Sequence, residues 1–338
     1  MNPKRIIISR TDSIGDVMLT LPLAGILKHH FPDLHLMFLG SAYTKAVIDC
    51  CKHIDEFIDW TYIKTLKEDE AVSFLKTKNA DSIIHVFPVK EIAILAKKAG
   101  IPSRIGTTNR IYHWYTCNKL LRFSRKNSDL HEAQLNTKLL KPFGINRPYE
   151  TEELISFYGF ESRIPIADSI SSLIDKEKFN LILHPKSKGS AREWGPDNFA
   201  ALIETLPKDK FRIFVSGTAS EAQLMQTELL DKYKDSITDI TGKFSLSEFI
   251  SFISQADGLI AASTGPLHIA AALGKIALGI YPPIKPMHPG RWKPLGKKAS
   301  FAVAEKQCSA CRKSNVCKCM KDITADIVKY KLEELINQ

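Results

Sequence analysis

The sequence predicts an α/β protein made of two Rossmann-like, doubly wound domains that face each other across a cleft. Three observations lead to this fold class. The chain has 338 residues, which is too long for one ordinary hydrophobic core and suits two domains. Short β-branched runs alternate with helix-length segments, a pattern typical of a parallel sheet. The alternation weakens over residues 150–178 and then starts again.

The first domain is expected over residues 1–160. The helix after its first strand should begin near Thr20 or Leu21, because Pro22 is tolerated only within a first helical turn. That helix should end before Pro32. Its predicted strands are KRIIISR near the start of the chain, LHLMFLG (34–40), DSIIHVF (81–87) and SRIGT (103–107).

The second domain is expected over residues 179–321, after a linker at 161–178. Its predicted strands are NLILHP (180–185), FRIFVSG (211–217), DGLIAAS (257–263) and IALGIYPP (276–283). The helices between them are PDNFAALIETLP (196–207), SEAQLMQTELLDKY (220–233), LSEFISFISQA (246–256) and PLHIAAALG (266–274). Residues 322–338 form a last helix, with Ile327, Tyr330, Leu332 and Leu335 at helical spacing.

The formal net charge of +10 indicates an acidic partner, and nucleic acid, anionic lipid and a nucleotide sugar all fit. The charge lies in two zones. Residues 104–126 carry six basic side chains and no acidic one, and residues 285–321 carry ten basic side chains against a single acid, Glu305. Two separate basic zones suit a cleft better than a single DNA-binding stripe.

The sequence shows neither a signal peptide nor an apolar run of ~20 residues, so a cytoplasmic protein is expected. Seven cysteines, an odd number, argue against a disulfide framework. Four of them stand within twelve residues and could hold a structural zinc ion, with free thiols or a redox-labile pair as alternatives. These four are Cys308, Cys311, Cys317 and Cys319.

The segment AASTGPLHIAAALG (261–274) predicts a strand, a tight turn and a helix. Gly265 allows close approach to the backbone, and the helix start presents unpaired N–H groups. Ser263 and Thr264 add hydroxyls, and His268 lies on the first turn. The segment either binds an anion such as a phosphate or simply caps a core helix with Ser or Thr.

Two further loops follow predicted strands, where ligands bind in open α/β sheets. SRTDSIGDV carries Asp12 and Asp16, either of which could be a general base or only a helix cap. It lacks G-x-G-x-x-G, which argues against an NAD enzyme. The loop HPKSKGSAREWGPDNF (184–199) is rich in donors suited to a diphosphate, with a solvated charged loop as the alternative. Those donors are Lys186, Ser187, Lys188, Gly189, Ser190 and Arg192.

The segment TTNRIYHWYTCNKLLRFSRKN (107–127) interleaves cations with aromatic side chains. Such a pattern can bind nucleic acid through phosphates and stacking. It can equally bind an acidic saccharide, or form a helix that packs its rings inward. The rings are those of Tyr112, His113, Trp114 and Tyr115.

Together these motifs resemble glycosyltransferase family 9, the ADP-heptose:lipopolysaccharide heptosyltransferases, over nearly the whole chain. RTDSIGDVMLTLPL is similar to the family's R-x-D-x-x-G-D-x-x-L-x-x-P signature, and SAREWGPDNFAALI to its K-x-W-P-x-x-x-F-A-x-L segment. ADGLIAASTGPLHIAAALG resembles its D-S/T-G-P-x-H-x-A-A-A-x-G block, and CSACRKSNVCKCM a cysteine-bearing stretch near its C-terminus. The first and third blocks, in that order, are highly specific.

The resemblance implies a GT-B fold, with the acceptor bound by the first domain, the nucleotide sugar by the second, and the last helix packed back on the N-terminal domain. It implies inverting transfer of heptose, or a related sugar, from an ADP-activated donor to a lipopolysaccharide inner-core acceptor, without a tightly held metal. The enzyme would be cytoplasmic and peripheral on the inner membrane. A nucleotide-sugar epimerase of the same fold and a basic nucleic-acid-binding protein are the alternatives.

The resemblance also implies roles for individual residues. Asp16 becomes the general base. Ser263 stands where the family has Asp, which leaves the donor sugar open, and Arg192 stands where Lys is usual. The expected donor-binding residues are Ser187, Lys188 and Arg192 at the diphosphate, Glu221 at the ribose, and Ser263, Thr264, Gly265 and His268 at the phosphate turn. The expected acceptor-binding residues are Arg104, Arg110, Lys119 and Arg122.

Overall fold

The computed structural model describes residues 3–165, 167–304 and 318–338. The chain divides into two units, one up to Glu161 and the other from Ser162 onwards. Each unit contains one six-stranded sheet, and the paired strands of both sheets run parallel. The predicted α/β class with two doubly wound sheets is therefore confirmed.

The first unit has strand order β3-β2-β1-β4-β5-β6. Its strands are β1 (Arg5–Ser9), β2 (His35–Gly40), β3 (Glu56–Asp59), β4 (Ser82–His85), β5 (Ser103–Thr107) and β6 (Lys119–Leu121). Its helices are α1 (Ile14–Met18), α2 (Leu21–His30), α3 (Lys45–Asp49), α4 (Trp60–Ile63), α5 (Glu68–Thr77), α6 (Lys90–Lys98), α7 (His113–Thr116), α8 (Glu132–Thr137) and α9 (Thr151–Ile155), with 3₁₀ turns at Ala42–Thr44 and Lys138–Phe143.

The central strand β1 shows why this segment forms a buried parallel strand. Ile6, Ile7 and Ile8 are fully buried, so the side chains on both faces of the sheet are covered. The following helix α2 begins at Leu21 with Pro22 in its first turn and ends at His30, as predicted. A short helix, α1, precedes it and carries Asp16 in its first turn.

The second unit has strand order β12-β11-β10-β7-β8-β9, which repeats the order of the first when each sheet is counted from its own first strand. Its strands are β7 (Phe179–His184), β8 (Phe211–Val215), β9 (Thr238–Asp239), β10 (Gly258–Ala262), β11 (Ile276–Tyr281) and β12 (Ala299–Val303). Its helices are α10 (Asp168–Ser171), α11 (Pro196–Thr205), α12 (Ala219–Met225), α13 (Leu246–Gln255), α14 (Gly265–Ala272), α15 (Pro289–Trp292), α16 (Lys318–Lys321) and α17 (Ala325–Ile336), with a π-turn at Gln226–Leu230.

The segment expected as a linker is attached to the second unit. The hydroxyls of Ser162 and Ser251 lie 2.9 Å apart, and Ser251 also donates to the carbonyl of Ile164 at 3.1 Å. Because Ser251 belongs to α13, these bonds fix the start of the segment to the second sheet's own helix layer. Residues 162–165 therefore extend the second unit toward the N-terminus.

The last helix, α17, packs on the second unit. Val328 and Leu332 are fully buried within the core of that unit, and Leu335 is 6% exposed. The indole of Trp194 donates to the carbonyl of Ile323 at 2.7 Å, just before the helix starts. The structure thus shows the apolar face of α17 buried within its own unit, and the packing on the N-terminal domain that the resemblance implied stays a prediction.

Within the described residues, no helix combines the length and the apolar character that crossing a membrane requires. Cys319 on α16 is buried, as are the three cysteines of the first unit. The other members of the predicted zinc cluster, Cys308, Cys311 and Cys317, lie outside the described residues. Among the residues that are described, no three His, Cys, Asp or Glu side chains are grouped so that they could hold a metal ion.

Candidate active site

The loop after β1 is organised around a buried arginine. Arg10 is 3% exposed, and its guanidinium binds Asp12 through two bonds of 2.8 and 3.0 Å. The same group also bonds Asp16 and reaches Glu132 at 3.3 Å. Burial lowers the pKa of Arg10, but the three carboxylates outweigh burial and raise it overall. The site therefore holds a permanent positive charge among three acids.

The two aspartates of this loop are almost equally exposed, at 19% of the side chain for Asp12 and 20% for Asp16, and differ in how they meet Arg10. Both oxygens of Asp12 are taken by the paired bonds from Arg10, the geometry of a structural ion pair. Asp16 gives one oxygen to Arg10 and accepts the hydroxyl of Ser13 on the other at 2.5 Å. Its side chain is 20% exposed, and each carboxylate oxygen has a second lone pair. Asp16 thus meets the guanidinium through one oxygen only, and its other oxygen accepts from the neutral hydroxyl of Ser13.

Loops from three other strands meet this one at the carboxyl edge of the first sheet. Tyr43, after β2, donates its hydroxyl to the backbone carbonyl of Asp12. Arg125, after β6, pairs with Glu132 and donates to the carbonyl of Val86 after β4, at 3.4 Å. Glu132 thus joins two arginines from distant parts of the chain, and Arg10 is fixed from both sides.

In the second unit, the loop after β10 leads into the start of α14. Thr264 precedes the helix in an extended conformation and makes no side-chain cap bond. Its hydroxyl is buried, and no described residue serves as its hydrogen-bond partner. Gly265 and Pro266 begin the first turn, and because Pro266 has no N–H, the N–H groups without an intrahelical acceptor there start with that of Gly265. A buried, unsatisfied hydroxyl at a helix start is the arrangement that an anion would complete.

Ser263 and His268, the neighbours of this turn, are held inside the unit. Burial raises the pKa of Tyr281, and a hydrogen bond with Ser263 opposes that rise. The hydroxyl of Tyr281 donates to the carbonyl of Trp292 at 2.6 Å, so Ser263 is the donor in their bond. His268 is 2% exposed on the first turn of α14. Gly265, Thr264 and the helix start are thus the parts of this turn suited to an anion.

The loop after β7 turns sharply at Lys188 and Gly189, which have φ values of 49° and 79°. Lys188 is exposed and Arg192 is half-buried. Ser187 is occupied within the loop, because its hydroxyl lies 3.1 Å from both the Ala191 carbonyl and a Glu193 oxygen. The two cations therefore suit a diphosphate, whereas Ser187 shapes the loop.

Glu221 lies at the start of α12, where it closes a capping box with Thr218. One of its oxygens accepts the backbone N–H of Thr218 at 2.8 Å and the Thr218 hydroxyl at 2.9 Å. His184 nearby forms a 2.9 Å bond with Ser216. Burial lowers the pKa of His184 to about 4, against the opposing effects of Glu221 and Glu193. Glu221 thus has one oxygen used by its own helix.

The four predicted acceptor residues separate into two pairs. Arg104 is the second residue of β5, and its guanidinium donates to the carbonyls of Thr116, at 2.6 Å, and Ile101. Lys119 is the first residue of β6. Both therefore start their strands, at the edge opposite to the Asp16 loop. Arg110 and Arg122 follow the same strands at the carboxyl edge and are exposed.

Sequence reasoning assigned no role to Arg10, Arg125, Glu132 or His184. Arg10 could have been found, because a cation directly after a buried isoleucine run needs an internal partner. Glu132 gives no such signal, since 122 positions separate it from Arg10. Only the fold brings the two together.

Comparisons with known proteins agree with this picture. Residues 72–321 match the model of glycosyltransferase family 9 (heptosyltransferase). A Haemophilus influenzae protein, named only provisionally as a glycosyltransferase, is 29% identical over 309 residues that cover 86% of each chain. The lipopolysaccharide core heptosyltransferase OpsX of the same organism is 20% identical, over 82% of this chain and 79% of its own. The solved structure of Escherichia coli ADP-heptose lps heptosyltransferase II covers 99% of both chains with a TM-score of 0.75 at 17% identity, which supports the GT-B fold.

Proposed function

Because the chain belongs to glycosyltransferase family 9, we propose that it transfers heptose, or a related sugar, from an ADP-linked donor to the inner core of a lipopolysaccharide. The observation that carries this proposal is the buried hydroxyl of Thr264, which lacks a partner among the described residues at the start of α14. A donor diphosphate supplies the missing acceptor. The names of OpsX and of heptosyltransferase II support the sugar and the acceptor class.

On the donor side, the leaving diphosphate gains negative charge as the bond to the sugar breaks. Thr264 and the first N–H groups of α14 stabilise that charge with preorganised donors. Lys188 and Arg192 add positive charge from the loop after β7. Glu221 retains one carboxylate oxygen for the ribose, since its capping box with Thr218 uses the other.

On the acceptor side, Asp16 takes the proton of the attacking hydroxyl as the oxygen bonds to the anomeric carbon and ADP leaves. Arg10 and Ser13 orient the carboxylate through its two oxygens. Attack from the face opposite the diphosphate inverts the configuration. Arg110 and Arg122 are the cations best placed to hold an acidic acceptor, because they follow strands at the edge that carries Asp16.

The acceptor of such an enzyme is a glycolipid, so we expect a cytoplasmic enzyme that works at the inner membrane. Salt should weaken its attraction to anionic lipid, because surface charges are screened over about 8 Å at physiological ionic strength. Nucleic acid is not an expected partner.

The experiment that tests the function is a nucleotide panel followed by product analysis. ADP should raise the melting temperature more than UDP or GDP does, and ADP-heptose should be consumed only when a lipopolysaccharide acceptor is present. Isomerisation of the donor without an acceptor would instead identify an epimerase. Stabilisation by DNA or RNA with no response to ADP would contradict the proposal in favour of nucleic-acid binding.

A further inference from the structure

The segment between β5 and β6 winds helically over residues 110–117. The N–H of His113 bonds the carbonyl of Arg110 at 3.0 Å, and that of Trp114 bonds Ile111 at 3.1 Å. The N–H of Cys117 bonds the carbonyl of His113 at 2.8 Å. Residues 111, 114 and 115 therefore stand at i, i+3 and i+4 and share one face of the winding.

That face is apolar and points to solvent within the first unit. Ile111 is 85% exposed, Trp114 64% and Tyr115 51%. The opposite face is polar and buried, with His113 at 0% and Thr116 at 1%. This is the reverse of an ordinary amphipathic helix, in which the apolar face packs on the core. An exposed cluster of large apolar side chains marks a binding surface.

The buried polar face is anchored to β5 through one ring nitrogen of His113, which keeps the apolar face outward. A ring nitrogen of His113 lies 2.9 Å from the carbonyl of Thr107, and the hydroxyl of Thr116 donates to Tyr112 at 2.7 Å. Turning the segment over would break the bond that joins His113 to Thr107.

Three further bonds hold the segment from its flanks. Arg104 donates to the carbonyl of Thr116 at 2.6 Å, and Lys97 donates to that of Tyr115 at 2.8 Å. The indole of Trp114 donates to the carbonyl of Thr108 at 3.2 Å, so its polar atom is satisfied while its ring stays exposed. The apolar face is thus built into a fixed backbone and is ready without rearrangement.

Cations surround this apolar face. Arg110 precedes it directly, and Arg122 is held close, because Asn109 donates to the carbonyl of Phe123 at 2.7 Å. No acidic residue occurs between positions 104 and 126. Aromatic and aliphatic side chains framed by Arg and Lys match the interface of an anionic bilayer, where rings sit at headgroup depth and cations meet phosphates.

We propose that Ile111, Trp114 and Tyr115 form a membrane-docking surface that inserts into an anionic lipid leaflet. Nucleic acid fits less well, since the most exposed of the three, Ile111, offers no ring for stacking. The proposal rests on the proposed function only in that the acceptor is a membrane lipid. The surface begins at the carboxyl edge of the first sheet, the edge that also carries the Asp16 loop, so docking brings the base to the level of the headgroups.

The test compares two exposed aliphatic residues, Ile111 and Leu224 on α12, which is 67% exposed. A vesicle co-flotation assay measures binding of the full-length wild type and of the variants Ile111→Glu and Leu224→Glu. The vesicles contain either phosphatidylethanolamine with phosphatidylglycerol or phosphatidylcholine alone. Ile111→Glu should weaken binding to the anionic vesicles by roughly fivefold or more, since one charge near such a surface changes binding by about that factor. Leu224→Glu should bind as the wild type does, and phosphatidylcholine should bind little.

Equal binding by Ile111→Glu and wild type, or no binding of wild type to anionic vesicles, overturns the proposal. ADP-induced stabilisation is measured in parallel without lipid, where Ile111→Glu should match the wild type. If Ile111→Glu and wild type bind anionic vesicles equally while ADP still stabilises both, only the docking surface is disproved. Lack of any ADP response with the vesicle difference intact defeats the proposed function alone.

Discussion

The carboxyl edges of the two sheets carry opposite chemistry although their strand orders are the same. In the first unit, the buried Arg10 is paired with three carboxylates, although Ser9 and His85 at the same edge keep buried polar atoms without a described partner. In the second, the buried hydroxyl of Thr264 stands at a helix start without a described partner. The comparison teaches that the shared topology fixes where the loops lie. The side chains decide whether an edge pairs its own charges or presents an unpaired donor to a ligand.

The largest expected effect tests the carboxyl edge of the first sheet. Asp16→Asn should lower kcat by on the order of 10²–10⁴-fold, because an amide accepts no proton from the acceptor hydroxyl. ADP affinity should be unchanged, since the donor residues belong to the other unit. Steady-state kinetics with a saturating acceptor, together with calorimetric titration of ADP, measure both quantities.

Asp12→Asn is the matched control for that prediction. Both oxygens of Asp12 are used by Arg10, so Asp12→Asn should lower the melting temperature. Its kcat should fall much less than that of Asp16→Asn. If the two amides reduce kcat equally, the assignment of the base to Asp16 rather than to Asp12 is wrong.

The next effect tests the carboxyl edge of the second sheet. Thr264→Val removes a buried hydroxyl that lacks a described partner, so the ligand-free protein should gain about 1 kcal/mol in unfolding free energy. ADP should bind roughly tenfold more weakly, because a hydrogen bond to a charged phosphate is lost. Thermal unfolding with and without ADP reads both changes.

Thr44→Val is the control, since Thr44 is also buried but donates to the carbonyl of Ser41 at 2.8 Å. It should lose about 1 kcal/mol in unfolding free energy and leave ADP binding unchanged. If both valine variants are destabilised alike, the Thr264 hydroxyl is hydrogen-bonded in the ligand-free protein and the comparison fails.

The last prediction concerns two buried histidines that end central strands. Burial lowers the pKa of His85 to about 3, with His113 and Arg104 adding to the shift. Burial lowers that of His184 to about 4, although Glu221 and Glu193 oppose it. Below the usual value of 6.5 the unfolded chain binds more protons, so stability falls as the pH falls.

Each histidine should contribute up to about 1.4 kcal/mol per pH unit to that loss, His184 down to about pH 4 and His85 down to about pH 3. Replacement by Gln should flatten the dependence of the unfolding free energy on pH by this amount. The measurement is thermal unfolding of the two variants and the wild type between pH 4.5 and 6.5. A wild-type slope in both variants would mean that the rings are hydrated in the folded protein.

Sequence patterns predicted the central strands well and the edge strands poorly. The central strand β1 spans Arg5–Ser9 within the predicted run KRIIISR, because buried strands need apolar, β-branched residues. β6 has only three residues, and β9 only two, so neither can show a period. Such short edge strands are defined by the neighbour they pair with.

The residues of the candidate site were predictable where the signal was local. Thr264 and Gly265 lie in a turn that the local sequence STGP predicts. The placement of Arg104 was also accessible, because a residue that begins a predicted strand lies at the edge away from the ligands. The pairing of Arg10 with Glu132 was not accessible, since it depends on how α8 returns to β1.

The assignment of α17 to the second unit bears on the order in which the two halves can fold. Every element of the first sheet has been synthesised by Glu161, before any strand of the second appears. The second core stays open until Val328 and Leu332 have been made, because both belong to its interior. During synthesis the unit that carries Asp16 can therefore fold first, whereas the unit that carries Thr264 cannot complete its core before its last helix has been made.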